Sequence, residues 1–399
     1  IPKGMEHTLP QLQLVNVKNA NLYGQAGGTA SGMRYTSRIA VYKVCWPKGC
    51  ANSDILAAVD QAVSDGVDVL SLSLGSDPKP FYDDLIAVAS FGATNKGVFV
   101  ACSAGNKGPS PSTVSNGAPW IMTVAASSTD RSFPTEVMLG NGNFFKGTSL
   151  YQGNQTNQLP LVFGKSAGTK KEAQHCSEDS LDPKLVHGKI VVCERGKNGR
   201  TQMGKVVTMA GRAGMIVLNA ENQGEEIYAD LHILPATSLG ASEGRSIKTY
   251  IQSDKKPTAS ISFMGTKFGD PAPVMGAFSS RGPSIVGLGP DLIKPDVTAP
   301  GVNILAAWPP KTSPSFIMND NREVLFNILW GTSTSCPHVS GIAALLKSLH
   351  KNWSPAAIKS ALMTTAYTLN NKGAPISDMA SDNKAFATPF AFGSGMLTL

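Results

Sequence analysis

Val98-Phe99-Val100-Ala101-Cys102-Ser103-Ala104-Gly105-Asn106 is a short apolar run that breaks into a turn of small residues. Five apolar residues with no polar interruption read as a strand buried on both faces. The flanking sequence agrees. Residues 82–96 just upstream read as a helix, with Leu85, Val88, Ala89 and Ala93 at helical spacing. Residues 67–74 before that read as a strand. Earlier still, residues 38–44 read as a strand, and Asn52 or Ser53 can cap a helix in which Ile55, Val59, Ala62 and Val63 share a face. Downstream, residues 120–126 form a fourth strand. The order βαβαβ predicts an α/β fold: a parallel sheet with helices on both faces. Ligands of such sheets bind beyond the carboxyl ends of the strands. Ser73-Leu74-Gly75 and Ser103-Ala104-Gly105-Asn106 lie at those ends.

The texture changes near residue 150. Residues 151–160 are turn-like and rich in Gly, Asn and Gln. Strands at 186–193, 213–219 and 258–264 then alternate with helices at 201–211 and 241–252. This stretch predicts a second unit at 150–265, dividing a larger one into 1–149 and 266–399.

The chain has 399 residues, 42% of them hydrophobic and 16% charged, enough for a sizeable core. Its 40 Gly and 26 Pro suit a loop-rich α/β protein better than a helical bundle. The net charge of +7 reads as a mildly basic, solvated surface. No Lys/Arg cluster is interleaved with aromatics, so no nucleic-acid partner is expected. No apolar run reaches about 18 residues, so no membrane span is expected. No cofactor or metal is expected, and the oligomeric state is not legible. The chain starts at Ile1 without a signal-peptide core, so a segment was removed upstream or the chain is a fragment. Cys45 with Cys50, and Cys176 with Cys193, form two local pairs that suggest an oxidising compartment, while Cys102 and Cys336 are candidate free thiols. Asn154-Gln155-Thr156 is a glycosylation sequon; Asn352-Trp353-Ser354 is a poorer one because Pro355 follows.

The chemistry-bearing stretch is Gly331-Thr332-Ser333-Thr334-Ser335-Cys336-Pro337-His338. A nearly continuous apolar helix follows, through Val339, Ile342, Ala343, Leu345, Leu346 and Leu349. Pro337 is expected in the first helical turn, where its missing N–H costs nothing. That places Ser333 at the helix N-terminus, where amides and dipole favour a developing anion. Two readings are open: Ser333 is a nucleophile, or Ser333 or Thr332 merely caps the helix. Asn106 likewise is either an oxyanion donor or a turn residue that tolerates left-handed backbone. Ser73-Leu74-Gly75 is either an edge offered to an extended peptide or an ordinary strand end.

Taken in order, these pieces resemble the plant subtilisin-like serine proteases of the subtilase family. The resemblance rests on Gly331-Thr332-Ser333, Ser335 to Gly341, Ser103-Ala104-Gly105-Asn106, Phe278-Ser279-Ser280-Arg281-Gly282-Pro283 and Lys294-Pro295-Asp296-Val297-Thr298-Ala299-Pro300-Gly301. It implies a subtilisin-like fold with Ser333 as nucleophile, Asn106 as oxyanion-hole donor, and a substrate cleft lined by Ser73, Leu74, Gly75, Ser103, Ala104 and Gly105. It also implies that residues 150–265 are an inserted protease-associated domain, that the partners are protein or peptide substrates, and that the protein is extracellular. His338 is a poor base candidate, since that position packs behind the nucleophile in the family.

The chain departs from the family where the base should be. A subtilase triad runs Asp, His, Ser. No Asp-Thr-Gly motif is present, and counting back places Gly4 at the catalytic His, with His7 on the second, non-catalytic His. As a hypothesis, residues 5–15 are what the family stretch His-Gly-Thr-His-Thr-Ser-Ser-Thr-Ala-Ala-Gly gives when suitable synonymous codons for it are read one base late. Residues 396–399 relate to Gly-His-Val-Asn-Pro in the same way. The family's fibronectin-like C-terminal domain is not in the chain. The expected activity is serine endopeptidase by family, with this chain inactive as written; the alternative is a non-catalytic fragment or pseudoprotease that binds peptides. Thr334 and Trp330, where the family carries Met and a small residue, are expected to crowd the cleft or to be tolerated.

Overall fold

The apolar runs become the parallel strands of one sheet in a computed structural model, which describes residues 16–33, 36–168, 170–196, 198–211, 213–287, 289–380 and 385–397. In chain order this sheet and its covering helices open with α1 (Asn52–Ser64), β1 (Val69–Leu72), α2 (Leu85–Asn95), β2 (Phe99–Ser103) and β3 (Met122–Ser128). A second set comprises β4 (Pro134–Leu139), β5 (Phe144–Thr148), β6 (Leu159–Phe163), β7 (Ile190–Glu194), α3 (Arg200–Met209), β8 (Gly214–Leu218), β9 (Ala236–Leu239), α4 (Ala241–Ser253) and β10 (Thr258–Phe263). The chain then returns with β11 (Val297–Val302), α5 (Thr332–Leu349) and α6 (Pro355–Thr364).

Strands β1, β2, β3 and β11 pair in that order, all parallel. Every residue of β2 and β3 is buried, as expected of strands covered on both faces. The alternation of side chains sorts the two faces. Val98, Val100 and Cys102 pack with Ile55, Val59 and Ile86 under α1 and α2. Phe99, Ala101, Met122 and Val124 pack with Cys336, Val339, Ile342 and Ile358 under α5 and α6. Each buried Val or Ile contributes about 1.5–3 kcal/mol of transfer free energy. The sheet is therefore held chiefly by α5, which carries Ser333, and α6 on one face and by α1 and α2 on the other.

Three expectations need correction. Residues 38–44 are extended but pair with no strand among the described residues. They face β1 across an open cavity of about 910 Å³, lined by Ile39, Val41, Val59, Leu70, Leu72 and Ala344 among others. A ladder needs neighbouring strands about 4.8 Å apart, and here both segments line the cavity. Next, α1 begins at Asn52 with Ala51 as its N-cap, and no side chain caps it. By contrast Asp84 caps α2, its carboxylate accepting from the Ile86 and Ala87 amides. Finally, Pro337 stands inside α5 rather than in its first turn.

The second set closes into a barrel in the order β6, β7, β8, β9, β5, β4, β10. It recruits β4 and β5, which precede residue 150. Its alternation is as clean as that of the sheet: Ile190 and Val192 pack with Ile216, Leu218 and Ile247, while Val191 and Cys193 pack with Met215, Val217, Met203 and Val207. The Cys176–Cys193 disulfide ties the segment before β7 to that strand, and Cys45–Cys50 closes a short hairpin. Cys102 and Cys336 are free and buried. Among the described residues, no helix is long and apolar enough to cross a membrane.

Candidate active site

The carboxyl ends of β1 and β2 converge on the N-terminus of α5. Gly331 is the N-cap residue and has no side chain to cap with, so neither Ser333 nor Thr332 serves as the cap. Ser333 lies in the first turn and is half-buried. Among the described residues, no group hydrogen-bonds its Oγ.

Pro337 has a direct consequence for this turn. Proline lacks the N–H that would bond the carbonyl four residues back, which is that of Ser333. The Ser73 hydroxyl donates to that carbonyl instead, at 2.9 Å. The end of β1 is thereby fastened to the first turn of α5. The two strand ends are fastened to each other by Asn116, whose Nδ2 donates to Leu74 O and to Ser103 O, both at 2.8 Å. Lys107 and Asp77 form an exposed ion pair from one rim to the other. Ser103 and Ala104 are buried, while Gly75 is exposed and Ser73, Leu74 and Gly105 are half-buried.

Asn106 is held by its oxygen. Its Oδ1 accepts from the Thr332 amide at 2.9 Å and from the Thr332 hydroxyl at 3.0 Å. Thr332 Oγ1 in turn accepts from the Gly105 amide at 3.2 Å. This fixes the amide group and leaves Nδ2 directed at Gly331. A Cβ placed on Gly331 would stand 3.5 Å from Asn106 Nδ2 and 3.7 Å from the Ser333 amide nitrogen. Two N–H donors therefore border one small space beside Ser333. The φ of Gly331 is +138°, a backbone that residues other than glycine rarely adopt. Glycine thus both permits the turn and keeps the space open. Two convergent donors at a helix N-terminus are what a developing oxyanion requires.

The surroundings do not compete with Ser333. Cys336 is fully buried, and burial pushes its thiol up to about 11, so it is neutral near pH 7. His338 Nδ1 donates to Thr334 O at 2.8 Å, and burial lowers its basicity. It is turned along the helix and away from service as a base. Thr334 does not crowd the cleft: it is buried, its hydroxyl donating to Gly331 O at 2.8 Å. Trp330 packs onto Tyr228, ring centroids 4.6 Å apart, and onto Phe278 at 5.2 Å. Gly4 and His7 lie outside the described residues.

Several contributors carry no motif signal. Asn116 has left-handed backbone (φ 56°) in an ordinary-looking loop, and only its two long-range bonds reveal its role. Glu226 and Tyr228 come from the barrel segment, more than a hundred residues from Ser333 in sequence. Burial raises the Glu226 carboxyl above its usual range, while bonds from Tyr228, Ala277 and Phe278 pull it back down.

The sequence over residues 16–395 matches the profile of the subtilase family. The chain belongs to the subtilase family. It is 51% identical over 395 residues to the subtilisin-like protease SBT1.3 of Arabidopsis thaliana, covering 98% of this chain and 50% of that protein. It is 52% identical over 388 residues to SBT1.5 of the same plant, covering 94% and 50%. The chain thus spans about half the length of these relatives. Among solved structures, Sphericase is 17% identical with a TM-score of 0.46, covering 99% of this chain and 77% of its own. Subtilases are serine-type peptidases, and the parallel sheet with helices on both faces is the family's subtilisin-like α/β fold.

Proposed function

We propose that this chain is the nucleophile-bearing part of a serine endopeptidase and that it does not turn over by itself. The observation that carries the reading is the space beside Gly331, bordered by Asn106 Nδ2 and the Ser333 amide, next to a half-buried Ser333. In this reading a peptide lies extended between Ser73-Leu74-Gly75 and Ser103-Ala104-Gly105. Ser333 Oγ attacks the scissile carbonyl, whose oxygen becomes an oxyanion between the two donors. Collapse expels the amine and leaves an acyl group on Ser333, which water then removes. Oγ is a weak nucleophile until a base takes its proton. No base bonds to it among the described residues, so the first step stalls.

The same observation favours a second reading, a pseudoprotease or non-catalytic fragment that binds peptides in the cleft without cutting them. The barrel with its flanking segments, residues 150–265 and the two strands just ahead, is proposed to be the protease-associated domain. Extracellular placement is proposed on the two disulfides and on the exposed Asn154 of the sequon.

A fluorescent peptide library incubated with the chain and then analysed by mass spectrometry tests both readings. Both predict intact peptides. Retention of a peptide subset, lost in Ser73→Arg, supports binding without cleavage. Cleavage that disappears in Ser333→Ala overturns the claim that the chain is inactive alone.

A further inference from the structure

We infer that Glu226 is a positioning residue for the oxyanion space, acting from the barrel segment through residues 277–280. The inference rests on the reading that Asn106 and the Ser333 amide form that space.

Glu226 is 6% exposed, and its carboxylate has three donors. Oε1 accepts from the Ala277 amide at 2.9 Å. Oε2 accepts from the Phe278 amide at 3.2 Å and from the Tyr228 hydroxyl at 2.6 Å. On their far side, residues 278–280 hold the turn that carries Asn106. Phe278 O accepts from the Gly108 amide at 2.8 Å, and the Ser280 amide donates to Gly105 O at 2.9 Å. Ser280 Oγ accepts from the Lys107 amide at 3.1 Å. The strand of contacts therefore runs from Glu226 through 277–280 to the 105–108 turn, and from Asn106 to Thr332.

A second arm leaves the same carboxylate through Tyr228. That ring packs on Trp330, the residue before Gly331. The Arg200 guanidinium, paired with Asp230, sits 4.7 Å from the Tyr228 centroid and 5.8 Å from that of Trp330. One side chain thus braces both walls of the space: the turn bearing Asn106 and the backbone approaching Gly331. Burying a carboxylate costs several kcal/mol in desolvation, so a simple tether between the barrel and the sheet would be cheaper with apolar contacts. Charge-assisted bonds are shorter and more directional than neutral ones, which suits a role in setting geometry.

The test is backbone amide hydrogen exchange on the full chain, compared with Glu226→Ala, Glu226→Gln and Tyr228→Phe. A lost hydrogen bond of about 1.4 kcal/mol corresponds to about tenfold faster exchange through local opening. In Glu226→Ala, amides of residues 105–108, 277–280 and 332 are expected to exchange about tenfold faster, with β7 and β8 unchanged. Glu226→Gln keeps the shape but sets an NH₂ group against one donor, so about a threefold rise is expected in the same amides. Tyr228→Phe is expected to raise exchange at 277–280 and to shift Trp330 fluorescence. An unchanged 105–108 turn in Glu226→Gln overturns the inference, even if Glu226→Ala fails to fold. So does a rise of equal size in β7 and β8, which would mark a general loss of stability. The readout does not need Ser333 to react, so an error in the catalytic reading and an error in this one remain distinguishable.

Discussion

Ser73, Ser333 and Pro337 form a three-residue arrangement that can be taken apart. Pro337 deprives the Ser333 carbonyl of its helical partner, and the Ser73 hydroxyl replaces it. Removing the hydroxyl in Ser73→Ala is expected to cost about 1–2 kcal/mol. In a Pro337→Ala background the restored N–H can satisfy the carbonyl, so the same change is expected to cost under about 0.5 kcal/mol. Urea denaturation of the four proteins gives the coupling; strictly additive costs would contradict the account. His232 offers a second test at this scale. It is buried, neither ring nitrogen has a hydrogen-bond partner among the described residues, and burial lowers its pKa from 6.5 to about 4. The unfolded chain takes up a proton below pH 6.5, and the folded chain does not until about pH 4. Stability from this group is therefore complete above pH 6.5 and falls as the pH drops toward 4, by up to about 3 kcal/mol. Between pH 7 and pH 5 the parent chain is expected to lose about 2 kcal/mol more than His232→Asn. Equal losses would show that the imidazole is not held neutral.

The elements most legible in the sequence are those whose burial is most complete. Strands β2 and β3 are buried throughout and broken only by small hydroxyl residues, and α1 and α2 repeat apolar residues at helical spacing. The barrel strands β4, β5, β6 and β9 escaped notice for a physical reason. Pro134 opens β4 and Pro160 interrupts β6, Gly147 lies within β5, and β9 is a four-residue segment with two hydroxyl side chains. Closure into a barrel satisfies strands whose individual patterns are weak. The site was legible where a motif and a backbone constraint coincide, as at Gly331 to Ser333 and Gly105-Asn106. It was illegible where a residue acts through long-range bonds, as Asn116 and Glu226 do. Residues 38–44 failed differently: their pattern is strand-like, but they join no sheet among the described residues. Ile39 is 42% exposed and Val41 65% exposed, beside the open side of β1. An unpaired edge with exposed apolar side chains invites association between copies. The chain is expected to scatter light increasingly with concentration, and Val41→Lys is expected to reduce that scattering at unchanged thermal midpoint. Equal scattering by the two proteins would show that this edge is not the sticky surface.

At the scale of the whole molecule, sheet and barrel meet around Ser333. The sheet supplies Ser333, Asn106 and the two strand ends, and the barrel segment supplies Glu226, Tyr228 and Arg200 around Trp330. Among the described residues, two N–H donors border the space beside Ser333 and no base bonds to its Oγ. In subtilisin, loss of the nucleophile or of the His costs on the order of 10⁶ in kcat. Reaction with a fluorophosphonate probe is the most direct measurement, because it reports the activation of Ser333 without requiring turnover. The folded chain, monitored by near-ultraviolet circular dichroism, is predicted to remain unlabelled after hours with excess probe, as is Ser333→Ala. Stoichiometric labelling that maps to Ser333 and is lost in Ser333→Ala would contradict the account, because it would mean that a base within this chain activates the hydroxyl.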